Sequence, residues 1–301
     1  MGKLNIISWF DKSTVKHLRF PFSFHLMPVF LFALSQAGTI NWKNTTLAFL
    51  ILHILIYPSS NGYNSYQDKD ETSIGGLKYP PKVSENLFYV TLLFDLAGIV
   101  LALLVSSNFS LFVFLYVLIS RAYSYRKLRL KKYAIIGFLT VFIFQGAFSY
   151  LMVSSALTEF SFALFFTANN LICMSVASLF IGSVYPLTQI YQHQSDKKDG
   201  VTTISYKLGY FGTFVFSSVM FGIASALLYY YFDKKDQIIA LILFFTLMFP
   251  VVIRLLFWFN KVRKDSMHAN FENTMRMNLM ASACMNAYFF ILILNRSFNW
   301  F

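Results

Sequence analysis

Charged residues are scarce in this sequence of 301 residues. Asp, Glu, Lys and Arg together make up 13% of the chain, whereas soluble domains carry charge at roughly a quarter of their positions. Cysteine is nearly absent as well: Cys173 and Cys284 both fall in apolar runs and lack the spacing of metal ligands. These scarcities exclude a water-soluble globular domain, a disulfide framework and a cysteine-ligated metal site.

Apolar residues take the place of the missing charges and make up 57% of the chain. A hydrocarbon core about 30 Å thick is crossed by roughly 20 mostly apolar residues in a helix. Runs of this kind predict nine transmembrane helices, at 22–40, 46–60, 86–106, 109–124, 133–153, 161–190, 209–231, 237–259 and 277–295. We therefore predict an all-α membrane protein, one polytopic domain over residues 1–301, built as a bundle of about nine transmembrane helices around a cytoplasm-facing central cavity.

The net charge of +12 is distributed unevenly between the two sides of this predicted bundle. Most of the Lys and Arg residues precede the first span or follow an even-numbered span, and the opposite side has only Lys43, Lys234, Lys235 and Arg296. Such asymmetry obeys the positive-inside rule and places the N-terminus and the basic loops in the cytoplasm. The basic residues therefore reflect topology, which argues against a nucleic-acid partner. We expect a multi-pass protein of a bacterial inner membrane.

The few acidic residues cluster in two predicted cytoplasmic segments that resemble each other. Residues 57–72 and 185–200 both begin with a Tyr-Pro pair and continue, in the same register, with a second Tyr, an amide side chain and two acids. This similarity predicts a degenerate internal repeat, as in many membrane folds built from duplicated halves.

The spacing within each repeat predicts a polar stripe, because positions i, i+4 and i+7 share one face of a helix. Each stripe has one amide and two carboxylates: Asn64, Asp68 and Glu71 in the first, and Gln192, Asp196 and Asp199 in the second. Two such stripes facing each other across a cavity would suit magnesium, which is commonly held by one or two carboxylates together with substrate phosphates. The alternative is that both segments are simply solvated loops.

At these residues the sequence resembles the UbiA-type superfamily of intramembrane prenyltransferases. Asn64 and Asp68 match the first two positions of an Asn-x-x-x-Asp-x-x-x-Asp motif, and Thr72 stands at the third. A second motif is matched by Asp196, Gly200, Thr203, Leu208 and Gly209, but Gln192 stands where the first Asp is usual. Further residues are similar to a signature of the branch with chlorophyll synthases and archaeal ether-lipid prenyltransferases: Tyr123, Ser124, Arg129, Leu130 and Lys131.

The resemblance implies transfer of a prenyl group from an allylic prenyl diphosphate to a lipophilic acceptor, with magnesium (Mg2+) as cofactor. The acceptor would be a quinone precursor, another aromatic compound or a lipid. The implied catalytic residues are Asp68, Asp196 and Asp199. Magnesium would be held by Asp68, Glu71, Asp196 and Asp199, and the diphosphate by Asn64, Gln192, Lys127, Arg129 and Lys131.

Other functions stay open at this stage. A transporter of a small anionic or lipophilic solute would also have many helices, a repeat and buried charges. The departures at Thr72 and Gln192 also allow a family member that has lost catalysis and binds lipid. Four polar residues fall within predicted spans: His53, Asp95, Gln145 and Arg254. Asp95 either accepts a proton from the acceptor, or is protonated or paired with Arg254 for structural reasons.

Overall fold

A computed structural model describes residues 9–158, 161, 163 and 166–298 of the chain. The regular structure of these residues is helical, and they contain no strand, apart from an isolated bridge between Ile74 and Leu77. The all-α fold is therefore confirmed. The beginning of the predicted span at 161–190 lies partly outside the described residues.

Thirteen α-helices follow one another along the described chain: α1 (Lys12–Leu18), α2 (Met27–Gln36), α3 (Trp42–Leu50), α4 (Tyr57–Asp68), α5 (Asn86–Ala102), α6 (Ser107–Ser124), α7 (Ala134–Val141), α8 (Phe148–Leu157), α9 (Ala168–Gln189), α10 (His193–Lys198), α11 (Ile204–Asp233), α12 (Ile238–Lys264) and α13 (Phe271–Phe298). Two π-helical segments, Ile51–Ile56 and Phe142–Ala147, join α3 to α4 and α7 to α8 without a break. His53 and Gln145, two of the polar residues in predicted spans, lie in these π-helical segments.

The predicted count of nine spans is not confirmed. Within the described residues, five helical stretches are long and apolar enough to cross a membrane: Ala134–Leu157, Ala168–Lys198, Ile204–Asp233, Ile238–Lys264 and Phe271–Arg296. A bent pair, Lys12–His25 with Met27–Gln36, is a sixth candidate if the two helices form one span. The predicted spans at 46–60, 86–106 and 109–124 do fall on helices, but α4 is polar and α5 has only 17 residues. The protein is thus an integral, multi-pass membrane protein.

The helices divide into two compact units. The first unit contains Met1–Phe24 and Asn41–Leu130, and the second contains His25–Ile40 and Lys131–Phe301. The first unit packs α5 against α4 and α6, and its core contains Leu18, Leu87, Val90 and Phe94. The two acidic segments of the predicted repeat fall in different units.

Small residues and aromatic rings pack the second unit. Gly146 lies so close to the backbone of Ser178 that a Cβ at this glycine would overlap it, and Gly182 lies against the ring of Phe142. Small residues allow this close approach between membrane helices. On α2, Phe32 stacks on Phe289 with ring centroids 4.7 Å apart. These contacts hold α2, α9 and α13 in the second unit.

Asp11 joins the beginning of α1 to the beginning of α5 within the first unit. Its carboxylate caps α1 by accepting a hydrogen bond from the Thr14 backbone N–H at 2.8 Å, and it also accepts hydrogen bonds from Ser84 Oγ at 2.6 Å and Asn86 Nδ2 at 3.1 Å. Burial raises the pKa of the Asp11 carboxyl, but the hydrogen bonds from Ser84, Thr14 and Asn86 outweigh it and bring the pKa to about 2.

We expect Asp11→Ala to lower the free energy of unfolding by about 1 kcal/mol at neutral pH, the usual cost of a lost N-cap. Because the folded-state pKa lies below the unfolded value of 3.8, the stabilisation is fully present above that pH and is lost as the pH falls towards about 2. Thermal unfolding of wild type and variant in detergent, measured across this range, tests the prediction. A stability difference that did not change with pH would contradict it.

Candidate functional site

The first acidic segment lies at the C-terminal end of α4. Asp68 is the last residue of the helix, and its side chain is only 4% exposed. Its Oδ1 atom accepts a hydrogen bond from Arg129 Nη2 at 3.2 Å, which makes a buried ion pair. One turn earlier, the Asn64 Nδ2 atom donates to Ser124 Oγ at 3.1 Å. The helix therefore places the amide of Asn64 and the carboxylate of Asp68 on the same face, as the sequence predicts.

Glu71 does not belong to this helical stripe. The helix ends at Asp68 because Lys69 takes up a left-handed backbone conformation with φ of 54°. The chain turns away there, and Glu71 lies in a bend beyond the helix. The prediction of one continuous stripe through Glu71 is therefore wrong in its geometry.

Two arginines of the loop after α6 hold the end of α4. Arg126 donates from Nε to the backbone oxygen of Gln67 at 2.6 Å and from Nη2 to that of Asp68 at 3.1 Å. The last carbonyls of a helix lack partners within the helix and carry partial negative charge, so a cation is well placed there. Arg129, predicted as a diphosphate contact, is bound to the Asp68 carboxylate. Sequence reasoning missed this role of Arg126, since nothing separated it from the neighbouring bases.

The other two predicted diphosphate-binding bases are placed differently. Lys127 is exposed. Lys131 lies in a short 3-10 helix, Leu130–Lys132, and belongs to the second unit.

The second acidic segment changes from one helix type to another along its length. After α9 the chain forms a 3-10 turn over Ile190–Gln192, and α10 then carries Asp196 in its first turn. Asp199 is the C-cap residue of α10, and Gly200 follows with φ of 65°. The predicted stripe therefore starts at Gln192, the N-cap residue of α10, continues through Asp196 and ends at Asp199, where the helix closes.

A hydrogen-bonded cluster fastens α10 to the beginning of α11. His193 Nε2 is 2.8 Å from Ser205 Oγ, which is itself 3.0 Å from Thr213 Oγ1. The His193 ring stacks on Tyr210 with centroids 4.9 Å apart. Gly209 allows this packing, because its backbone (φ 67°, ψ 179°) kinks α11 between Ser205 and Thr213.

Two residues of the second motif have clear structural roles in this segment. Thr203 caps α11 by accepting a hydrogen bond from the Tyr206 backbone N–H at 3.2 Å. Gly200 supplies the left-handed turn that ends α10 and lets the Val201 N–H bond to the Asp196 backbone oxygen at 2.8 Å. The motif therefore encodes the turn that presents Asp196 and Asp199.

The donor atoms of both segments suit a hard cation. Each segment offers two carboxylates and one amide, the oxygen donors that Mg2+ favours. Within the described residues, neither unit gathers three or more His, Cys, Asp or Glu side chains into a group able to hold a metal. Magnesium usually relies on one or two carboxylates plus substrate phosphates rather than an all-protein cage. The residues therefore fit magnesium that is held jointly with a phosphate-bearing substrate.

Asp95 has a different partner from the one predicted. Arg121 Nε donates to Asp95 Oδ2 at 2.7 Å, and Arg121 Nη2 forms a second bond to the same oxygen. Ser59 Oγ donates to the other carboxylate oxygen at 2.6 Å, and the guanidinium lies 3.9 Å from the centre of the Tyr63 ring. The predicted pairing with Arg254 is therefore wrong. Arg121 lies in the last turn of α6, inside the predicted span at 109–124, where its position near the end of the span groups it with the bases that follow.

Comparisons with known proteins agree with this description. A sequence profile described as UbiA prenyltransferase family matches residues 25–280. No curated protein matches the sequence. A UbiA homolog from Archaeoglobus fulgidus bound to GPP and Mg2+ is 17% identical, with a TM-score of 0.66 over 94% of this chain and 99% of its own.

Two other solved structures share the fold. A UbiA homolog from Aeropyrum pernix K1, without ligand, is 16% identical, with a TM-score of 0.67 over 92% of this chain and 98% of its own. A structure of digeranylgeranylglyceryl phosphate synthase is 17% identical, with a TM-score of 0.59 over 94% of this chain and 97% of its own. At these identities the structures show the fold alone, whereas the family profile covers most of the chain and both acidic segments. The chain therefore belongs to the UbiA prenyltransferase family.

Proposed function

We propose that the protein transfers a prenyl group from an allylic prenyl diphosphate to a lipophilic acceptor in a magnesium-dependent reaction. The observation that carries this proposal is the family match over residues 25–280, which includes both acidic segments. The complex of GPP and Mg2+ with the relative from Archaeoglobus fulgidus supports it. The acceptor class proposed is a quinone precursor, another aromatic compound or a lipid.

The proposed roles follow from charge and donor chemistry. Asp68 and Glu71 in the first unit, and Asp196 and Asp199 in the second, would bind magnesium together with diphosphate oxygens. Asn64 and Gln192 would contribute amide oxygens or bond to phosphate. Lys127 and Lys131 would offset the charge of the diphosphate. Arg129 would act partly through Asp68, because the ion pair fixes the direction of that carboxylate.

The barrier in prenyl transfer is charge separation. The bond between the first prenyl carbon and the diphosphate oxygen breaks, a new bond forms between that carbon and the acceptor, and the acceptor loses a proton. Bound magnesium supplies positive charge to the departing diphosphate. The cationic side chains of the protein would add fixed positive charge, and such electrostatic stabilisation is strong where water is excluded.

We further propose that both acidic segments and the N-terminus face the cytoplasm of a bacterial inner membrane. The distribution of Lys and Arg between the predicted loops supports this orientation. A soluble prenyl diphosphate would then reach the acidic segments from the cytoplasm.

The test is transfer of label from radiolabelled farnesyl or geranylgeranyl diphosphate into a panel of lipid and aromatic acceptors in detergent. We expect a labelled lipophilic product in the presence of Mg2+ and none with a chelator. Binding of the diphosphate without turnover on any acceptor would favour the catalytically inactive lipid-binding alternative. A protein that neither bound nor consumed any prenyl diphosphate would refute the proposal.

A further inference from the structure

A cavity with both polar and apolar lining lies at the end of the second unit that is remote from Asp196 and Asp199. It has a volume of ≈ 470 Å³, and its polar lining includes Ser35, Gln36, Lys235, Asp236, Asn295 and Arg296. It sits where α11 ends and α12 begins. The part of α11 that follows the kink at Gly209, residues 210–233, separates this cavity from the beginning of α11 by about 36 Å along its axis. The cavity is therefore distinct from the proposed diphosphate site.

Two cations in the wall of this cavity are fixed by hydrogen bonds. Arg296 donates to the backbone oxygens of Leu34, Ser35 and Gly38 at 3.3, 3.3 and 2.9 Å, at the C-terminal end of α2. Lys235 Nζ donates to Tyr231 Oη at 2.5 Å. Because an ammonium has three N–H donors, this bond orients Lys235 and leaves further donor capacity.

Lys235 and Arg296 are close enough for their positive charges to interact. Burial of the Lys235 ammonium lowers its pKa; Cys173 acts in the opposite direction, and the charge of Arg296 contributes to the lowering. Among the described residues lining the cavity, Asp236 is the one acid beside these two bases. The charged side chains of the lining therefore sum to a net positive charge.

The beginning of α12 adds partial positive charge to the same cavity. Ile238, Ile239 and Ala240 form the first turn of this helix and line the cavity, and the N-cap residue Gln237 makes no capping bond with its side chain. The first N–H groups of a helix have no intrahelical acceptor and favour an anion. The partial positive charge of these N–H groups adds to the charge of the two cations.

The two bases lie on the side of the membrane where basic residues are uncommon. Lys235 and Arg296 are two of the few bases on the side that the positive-inside rule keeps poor in Lys and Arg. That side of a membrane still presents the phosphates of lipid headgroups. We propose that this cavity binds a phosphate anion of the kind carried by a phospholipid headgroup, through Lys235, Arg296 and the first turn of α12.

The test uses the full chain in detergent and follows thermal unfolding during titration with either inorganic phosphate or dioctanoyl phosphatidic acid. Wild type is compared with Lys235→Met, which removes a cavity cation, and with Lys234→Met as matched control. Both lysines carry the ammonium over a tyrosine ring, at 4.5 Å from the centroid of Tyr230 for Lys234 and 4.2 Å from that of Tyr231 for Lys235. Lys234 does not line the cavity. Phosphate bound elsewhere contributes equally to all three proteins.

We expect Lys235→Met to raise the concentration giving half of the unfolding-temperature shift by about tenfold, whereas Lys234→Met should match wild type. Asp236→Asn should lower that concentration about threefold, because it removes the carboxylate beside the bound anion. Asn also tolerates the left-handed backbone at this position, where φ is 55°. Tighter binding of the anion by Asp236→Asn cannot arise from misfolding. This variant therefore tests the proposal even if Lys235→Met does not fold.

A response to phosphatidic acid alone would identify a lipid headgroup as the ligand. A response to both probes would mean that the phosphate group suffices. Identical titrations of wild type, Lys235→Met and Asp236→Asn with both probes would overturn the proposal.

Discussion

Replacing Asp68 with asparagine is expected to lower the rate of magnesium-dependent prenyl transfer by about 10²–10³-fold, the loss typical when a group that stabilises transition-state charge is removed. The amide keeps the shape of the side chain and an oxygen that accepts the hydrogen bond from Arg129. It loses the negative charge that would bind magnesium. The effect should appear in kcat and in the magnesium concentration required, measured with the labelled diphosphate.

Glu85→Gln is the matched control for this experiment. Glu85 belongs to the same unit and pairs with Lys69 at 3.2 Å, but both side chains are more than half exposed. An exposed ion pair of this kind contributes little to stability, so activity and unfolding temperature should stay near those of wild type. Equal rates for Asp68→Asn and wild type at every magnesium concentration would remove Asp68 from the proposed metal site.

Hydropathy predicted the helices of the second unit well because their apolar runs are long and uninterrupted. It served less well at α4, whose polar sequence belongs neither to a span nor to an ordinary loop. The end of that helix depends on Lys69 in a left-handed conformation and on Arg126, which binds the last carbonyls from a loop far along the chain. Such contacts between distant residues leave no periodic signal in the sequence.

The sequence identified the acids of the candidate site but not their surroundings. Asp68 and Asp196 stand out because acids are rare in this chain. Arg129 was predicted to face substrate, whereas it forms a buried pair with Asp68. A base beside an acidic motif fits either role, and only the folded geometry distinguishes them.

The partner of Asp95 could not be predicted from the sequence either, because several arginines were candidates. Arg254 looked suitable since it also falls within a predicted span. In the structure, Asp95 instead pairs with Arg121, and Ser59 donates a hydrogen bond to the other carboxylate oxygen. The side chains of Asp95 and Arg121 are 7% and 21% exposed. The pair is therefore well shielded, and removing one member should matter far more than at a surface pair.

We expect Arg121→Met to lower the free energy of unfolding by about 3–5 kcal/mol, because it leaves the Asp95 carboxylate buried without its cation. Asp95→Asn alone should also destabilise the protein, because it leaves the Arg121 guanidinium without its carboxylate partner. The double variant should be more stable than the sum of the two losses predicts, because neither charge then lacks its partner. Denaturant unfolding in mixed micelles measures all three variants.

The control in this double-mutant cycle is Arg254→Met, which removes the partner that the sequence favoured. If Arg121 is the partner of Asp95, the coupling energy with Asp95→Asn is large for Arg121→Met and near zero for Arg254→Met. Coupling to Arg254 instead would contradict the pairing. Because Arg121 also lies over the Tyr63 ring, in the helix that carries Asn64 and Asp68, loss of the pair should loosen α4. Prenyl transfer in Arg121→Met should then fall in parallel with stability, whereas Asp68→Asn should lose activity while remaining folded.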